Sequence, residues 1–161
     1  MRVASMEIGS GEGHAAGRAL LARLYRECTG GEMPPILLSE RGKPFFEKEE
    51  GSAQLYFSIS HTKAHVFCVL SERPVGIDAE EVDRNIDLRL AEKILSEKEK
   101  AQFARAEDKK AALLRFWVLK EAYAKLTGQG LTGYPNKTDF DYEDPRVLIR
   151  DHCYIAILED R

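Results

Sequence analysis

Two carboxylates, Asp78 and Glu80, stand two residues apart in Gly76-Ile77-Asp78-Ala79-Glu80. On a strand, residues two apart point the same way. Both acids then face one side, while Ile77 and Ala79 face the core. Like charges that close repel unless something positive lies between them. A hard divalent cation answers that need. Magnesium accepts one or two carboxylates and completes its octahedron with water and substrate phosphates. The plainer alternative is a solvated acidic edge strand, to which Glu81 and Asp83 would also belong. A second pair, Glu121 and Lys125, lies four residues apart in Phe116-Trp117-Val118-Leu119-Lys120-Glu121-Ala122-Tyr123-Ala124-Lys125-Leu126. On a helix these two share a face, with Trp117 one turn earlier on it. An exposed ion pair along the helix is the bland reading of that spacing. Two weaker signals complete the set. His61, after Ser60, closes an alternating run, where an imidazole could donate to a phosphate. Such a histidine is more often a structural turn residue. In Gly42-Lys43-Pro44, glycine permits close backbone approach, lysine is a point-charge phosphate binder and proline fixes the exit. His14, His65 and His152 have no comparable setting and read as structural or surface residues.

The helix carrying Glu121 and Lys125 should begin near Lys109 and stop at Gly128, since no Gly or Pro interrupts that stretch. Residues 111–126 are apolar on nearly every side, the mark of a buried helix. Charges there need partners, because burying an unpaired charge is costly. Strands are expected over residues 1–8, 36–39, 55–60, 64–70 and 75–80, and a helix over 14–27. The three runs between 55 and 80 lie so close in sequence that they suggest one antiparallel sheet. Residues 87–95 read as a helix. Ser96 and Glu99 form a capping box for the next one, which ends near Ala106. After a turn at 133–136, short strands are expected over 137–142, 146–151 and 152–159. The order helix, strands, helices, strands fits α+β rather than a doubly wound sheet.

The chain has 161 residues, 43% hydrophobic and 32% charged, which suits one compact domain or two closely fused halves. A formal net charge of −3 argues against a general nucleic-acid binder. No apolar run could span a membrane, and the first residues lack the apolar core of a signal peptide. Cys28, Cys68 and Cys153 are widely spaced, without zinc spacing. An odd number suggests reduced thiols in the cytoplasm.

Gly42-Lys43-Pro44, then Phe57-Ser58-Ile59-Ser60-His61-Thr62, then Val75-Gly76-Ile77-Asp78-Ala79-Glu80, and finally residues 116–131 follow one another in that order. The constellation resembles the 4′-phosphopantetheinyl transferase superfamily, in particular its larger surfactin-synthetase-activating type in a short form. The departures are Ser58 for the usual Asn, Thr62 for Ser, and the small Ala79 between the acids. The resemblance implies an α+β fold of two similar α/β halves related by a pseudo-twofold, roughly 1–74 and 75–161. It implies transfer of the 4′-phosphopantetheine arm of coenzyme A to a serine of an apo acyl or peptidyl carrier protein, releasing adenosine 3′,5′-bisphosphate. Asp78, Glu80 and Glu121 would match the magnesium-binding carboxylates. Lys125 would match the lysine at the pyrophosphate, Ser60 and His61 residues at the phosphates, and Lys43 with Pro44 the adenosine end. Asp78, Glu121 and Lys125 would be the catalytic residues, with Glu121 taking the serine proton directly or through a metal-bound water. Lys120 belongs to the motif without a firm role. The layout favours a cytoplasmic monomer, with Arg105, Lys109, Lys110 and Arg115 as a candidate patch for an acidic carrier. The rivals are a non-catalytic relative that binds coenzyme A or a carrier, and a metal-dependent pyrophosphohydrolase.

Overall fold

The two most continuously apolar strands, β5 (His65–Ser71) and β8 (Cys153–Glu159), are each the middle strand of a three-stranded antiparallel sheet. Both are also covered on both faces, by a helix on one and by the other sheet on the other, which is why neither run alternates strictly with polar residues. The computed structural model describes residues 1–9, 11–48, 51, 53–130 and 137–160. In the first sheet, β5 lies between β1 (Arg2–Glu7) and β4 (Tyr56–His61). In the second, β8 lies between β6 (Val75–Glu81) and β7 (Val147–Arg150). Helix α1 (Gly13–Thr29) and the hairpin of β2 (Ile36–Leu38) and β3 (Pro44–Phe46) fall between β1 and β4. Helices α2 (Ala91–Ile94), α3 (Glu97–Arg105) and α4 (Lys109–Thr127) fall between β6 and β7. The fold is thus α+β.

Each sheet is covered by one helix. Leu20, Leu21 and Leu24 of α1 join Phe57, Val66, Cys68 and Leu70 in one core. Leu114, Val118 and Ala122 of α4 join Ala156 and Leu158 in another. The remaining faces meet in a third cluster, where Phe67 and Val69 touch Val75, Ile77 and Ile155. Each such fully buried side chain contributes about 1.5–3 kcal/mol. Where the sheets adjoin, β4 runs beside β6. The link is made by serine hydroxyls: Ile77 N–H donates to Ser58 Oγ at 3.1 Å, and Ala79 N–H to Ser60 Oγ at 3.2 Å.

Three expectations need correcting. The strand over 75–80 does not join its two sequence neighbours in one sheet. It pairs with β8, from Val75 opposite Glu159 to Glu81 opposite Cys153. Residues 87–95 form a 3-10 turn at Leu88–Leu90 and the short α2, not one helix. No strand occupies 137–142 among the described residues. Its backbone is taken up by side chains instead: Phe140 N–H donates to Glu99 Oε1 at 2.9 Å and Tyr142 N–H to Gln102 Oε1 at 2.7 Å. Arg115 Nε donates to the Tyr142 carbonyl at 2.7 Å. The turn expected at 133–136 and the motif's last residue, Leu131, lie outside the described residues.

The ends of α4 follow their sequence signals. Asp108 accepts from Ala111 N–H at 2.9 Å, and Gly128 adopts φ 70° to return its N–H to the Ala124 carbonyl. What seats the helix is Gly76. A Cβ there would lie 2.0 Å from the Ala122 carbonyl oxygen and 2.6 Å from Leu126 N. Only a residue without a side chain lets the α4 backbone come this close to β6. Gly76→Ala is expected to destabilise the chain by about 3 kcal/mol in a denaturant titration, because backbone atoms must move. A cost below about 0.5 kcal/mol would mean that α4 lifts freely.

Candidate active site

With Gly76 under Ala122, the neighbours on the same face of β6 fall under the next turns of α4. Lys125 Nζ reaches Asp78 Oδ1 at 2.8 Å and the Ile59 carbonyl at 3.4 Å. It pairs across the layers, with Asp78, and not along its own helix with Glu121. Ser60 Oγ–H donates to the same Asp78 oxygen at 3.0 Å, so one hydroxyl both joins the sheets and orients the acid. The other oxygen, Asp78 Oδ2, is buried and has no hydrogen-bond partner among the described residues. Glu80 Oε1 accepts from Trp117 Nε1–H at 3.1 Å and pairs with the Arg84 guanidinium. No hydrogen bond or ion pair reaches the Glu121 carboxylate among the described residues.

Of the residues singled out in the sequence, Lys43, Pro44, Ser60, His61, Asp78, Glu80, Glu121 and Lys125 line one cleft of about 700 Å³ between the two sheets' helices. Its acidic lining comes from β6 and α4. Its basic lining comes from α1, the β2–β3 hairpin and the end of β4, with Lys125 added from α4. Lys43 does more than face the cleft: its ammonium donates to the Leu126 carbonyl at 2.5 Å, holding the C-terminus of α4. Burial lowers its pKa.

Sequence reasoning missed part of the basic lining. His14, read above as surface or structural, stands at the cleft with its ring edge on His61, centroids 5.1 Å apart. Arg18 and Arg41 line the same space. The four-residue spacing of His14 and Arg18 on α1, and Arg41 beside Gly42, were the available signals. Close approach is again needed, since a Cβ on Gly13 would lie 2.7 Å from the His61 ring. Lys120 turns away from the cleft. Its ammonium is buried against Glu99 at 2.7 Å, with side chains 2% and 0% exposed, and it donates to the Thr138 carbonyl at 3.0 Å. It ties α4 to α3 and to the segment after the helix. Three members of the candidate basic patch also hold backbone carbonyls while keeping their charge. Lys109 donates to the Phe103, Ala104 and Ala106 carbonyls, Lys110 to that of Asp83 and Arg115 to that of Tyr142.

The acids are crowded. Burial, opposed by Lys125, raises the pKa of Asp78. Burial, with the Asp78 charge adding to it, pushes Glu80 up to about 7 and raises Glu121 as well. Three carboxylates face two cations, Lys125 and Arg84. Among the described residues no three acid, histidine or cysteine side chains stand positioned together to hold a metal ion. The donor chemistry nonetheless fits a hard divalent cation: all three groups offer carboxylate oxygens, and Asp78 Oδ2 is buried with nothing to bind.

A family model described as the 4′-phosphopantetheinyl transferase superfamily matches residues 74–153. Among curated proteins, the chain is 34% identical over 99 residues to the 4′-phosphopantetheinyl transferase gsp of Aneurinibacillus migulanus, covering 58% of this chain and 38% of that protein. It is 32% identical over 143 residues to the 4′-phosphopantetheinyl transferase psf-1 of Bacillus pumilus, covering 84% and 60%. It is 30% identical over 122 residues to the 4′-phosphopantetheinyl transferase HetI of Nostoc sp. (strain PCC 7120), covering 72% and 52%. The chain therefore spans between 38% and 60% of the lengths of these relatives.

The Glu80 shift has a defined sign. Its folded pKa, about 7, lies above the ordinary 4.5, so between those values the folded chain holds the extra proton. Stability contributed by that proton is present at low pH and is lost as pH rises through about 7. With a chelator present, Glu80→Gln should melt higher than the wild type at about pH 8, the gap closing toward about pH 5. A gap that is constant with pH would refute the shift.

Proposed function

The chain belongs to the 4′-phosphopantetheinyl transferase superfamily, and on that premise we propose that it transfers the 4′-phosphopantetheine arm of coenzyme A to a serine of an apo acyl or peptidyl carrier protein. The observation that carries this reading is the convergence of Asp78 and Glu80 from β6 with Glu121 and Lys125 from α4, made possible by Gly76. Phosphoryl transfer asks little covalent chemistry of a protein and much positioning and charge neutralisation. This cleft offers acids and bases from different elements at short range.

In the reaction proposed, the serine oxygen attacks the phosphorus that carries the pantetheine arm. The bond to the bridging oxygen of the pyrophosphate breaks, and adenosine 3′,5′-bisphosphate leaves. Asp78, Glu80 and Glu121 would hold a magnesium ion, whose charge offsets that of the pyrophosphate. Lys125 adds a cation from α4, where the leaving oxygen gathers charge. Glu121 takes the proton of the serine hydroxyl. Ser60 keeps Asp78 oriented through the hydrogen bond at 3.0 Å. His61, with His14, Arg18 and Arg41 beside it, gives the phosphate groups a basic wall. Lys43 and Pro44 face the adenosine end.

The same reading takes the chain as two similar halves, 1–74 and 75–161, related by a pseudo-twofold. What supports this is the shared strand connection. In both sheets the last strand in sequence lies between the first and the penultimate one. We take the protein to act as a cytoplasmic monomer. No helix among the described residues is long and apolar enough to cross a membrane.

Incubation with coenzyme A, magnesium chloride and a set of apo carrier proteins, read by intact mass, tests the proposal. The wild type should add one phosphopantetheine arm to a carrier, and a chelator should abolish the gain. Asp78→Asn and Glu121→Gln should each lower the rate by roughly a hundredfold or more with circular dichroism unchanged. Near-normal turnover by either folded variant would sink the assignment. Bisphosphate release without a carrier would instead favour a hydrolase.

A further inference from the structure

Beyond the acids themselves, the structure commits a cation to Glu80 that no motif singled out. Arg84 follows β6 on a tight turn, its N–H donating to the Glu81 carbonyl at 3.0 Å. That turn folds its side chain back onto Glu80 Oε1. The guanidinium carbon also lies 5.3 Å from the centre of the Trp117 ring, and Trp117 Nε1–H donates to the same Glu80 oxygen. Three groups therefore share one arrangement: an acid, an arginine, and an aromatic ring that contacts both.

We propose that Arg84 is the resident counter-ion of the carboxylate site, seated on Glu80 while no metal is bound and displaced when a divalent cation binds. This inference rests on the metal site proposed above. A guanidinium and a divalent cation cannot both sit on one carboxylate oxygen without strong like-charge repulsion. Asp78 is turned to Lys125, and Glu80 to Arg84 and Trp117. Displacement is mechanically easy. The Arg84 side chain is 35% exposed on a turn, so it leaves the acid without opening a core. Arg84 thus offsets the mutual repulsion of the carboxylates and lowers their affinity for metal. Trp117 is the chain's only tryptophan, so its emission reports the exchange.

The test uses the full chain and magnesium chloride alone, without coenzyme A. Binding is measured by calorimetry and by Trp117 emission, for the wild type, Arg84→Gln and Asp78→Asn, each checked by circular dichroism. Arg84→Gln should bind magnesium about three- to tenfold more tightly, the size expected for losing one partly exposed competing charge. Wild-type emission should change along the calorimetric isotherm, and Arg84→Gln should lose most of that change. If Asp78→Asn binds magnesium as well as the wild type, the metal site itself is wrong. If Asp78→Asn weakens binding but Arg84→Gln fails to tighten it, the metal site stands and the role of Arg84 is overturned. The wild-type emission needs no variant: saturation with magnesium and no change at Trp117 also overturns it.

Discussion

The approach of the α4 backbone to β6 at Gly76 is the constraint on which the site depends. With a Cβ position only 2.0 Å from a carbonyl oxygen, the helix can sit where it does only if that residue is glycine. Every other distance in the acidic cluster inherits this closeness. Were α4 carried outward by even the width of a methyl group, Lys125 would leave Asp78, and Glu121 would stand apart from the strand acids. Glycine here sets the spacing of the chemistry without taking part in it.

A second, softer constraint lies at the junction of the sheets. Edge strands leave backbone N–H groups in need of partners. Ser58 and Ser60 of β4 supply them to Ile77 and Ala79 of β6. Because Ser60 also donates to Asp78, the side chain that joins the sheets aims an acid into the cleft. The buried pair of Lys120 and Glu99 does comparable work on the far side of α4. Breaking such a pair leaves an uncompensated charge, typically at a cost of about 3–5 kcal/mol. The helix is thus fixed from two directions, with cleft residues on one side and an ion pair on the other.

Much of this was legible in the chain because it rests on local spacing. The unbroken run before Gly128, the alternation of Asp78 and Glu80, and the shared face of Glu121 and Lys125 need only helix and strand periodicity. What escaped was long-range. Nothing near Val75 announces that β6 pairs with a strand ending at Glu159. Residues 137–142 have the aromatics of a strand, but Glu99 and Gln102 from α3 claim their backbone. Lys120 and Glu121 are adjacent in the motif, yet successive helix residues point about 100° apart, so one faces the core partner and the other the cleft. The partnership of Arg84 with Trp117 joins a turn to a helix, and only the folded chain brings them together.

Lys43 has a consequence for how this molecule can change over generations. It lies beside the hairpin that precedes β4, yet its ammonium is spent on the end of the helix that follows β6. The serine hydroxyls of β4 bind the two sheets at a second point. The acceptor of Lys43 is a main-chain carbonyl, present whatever residue stands at 126, so what has to match is where α4 ends and the lysine that meets it. Drift in the hairpin and drift at the end of α4 must be accepted together. The cleft should accordingly evolve as one inherited unit, although its residues are drawn from Gly13 through to Gly130.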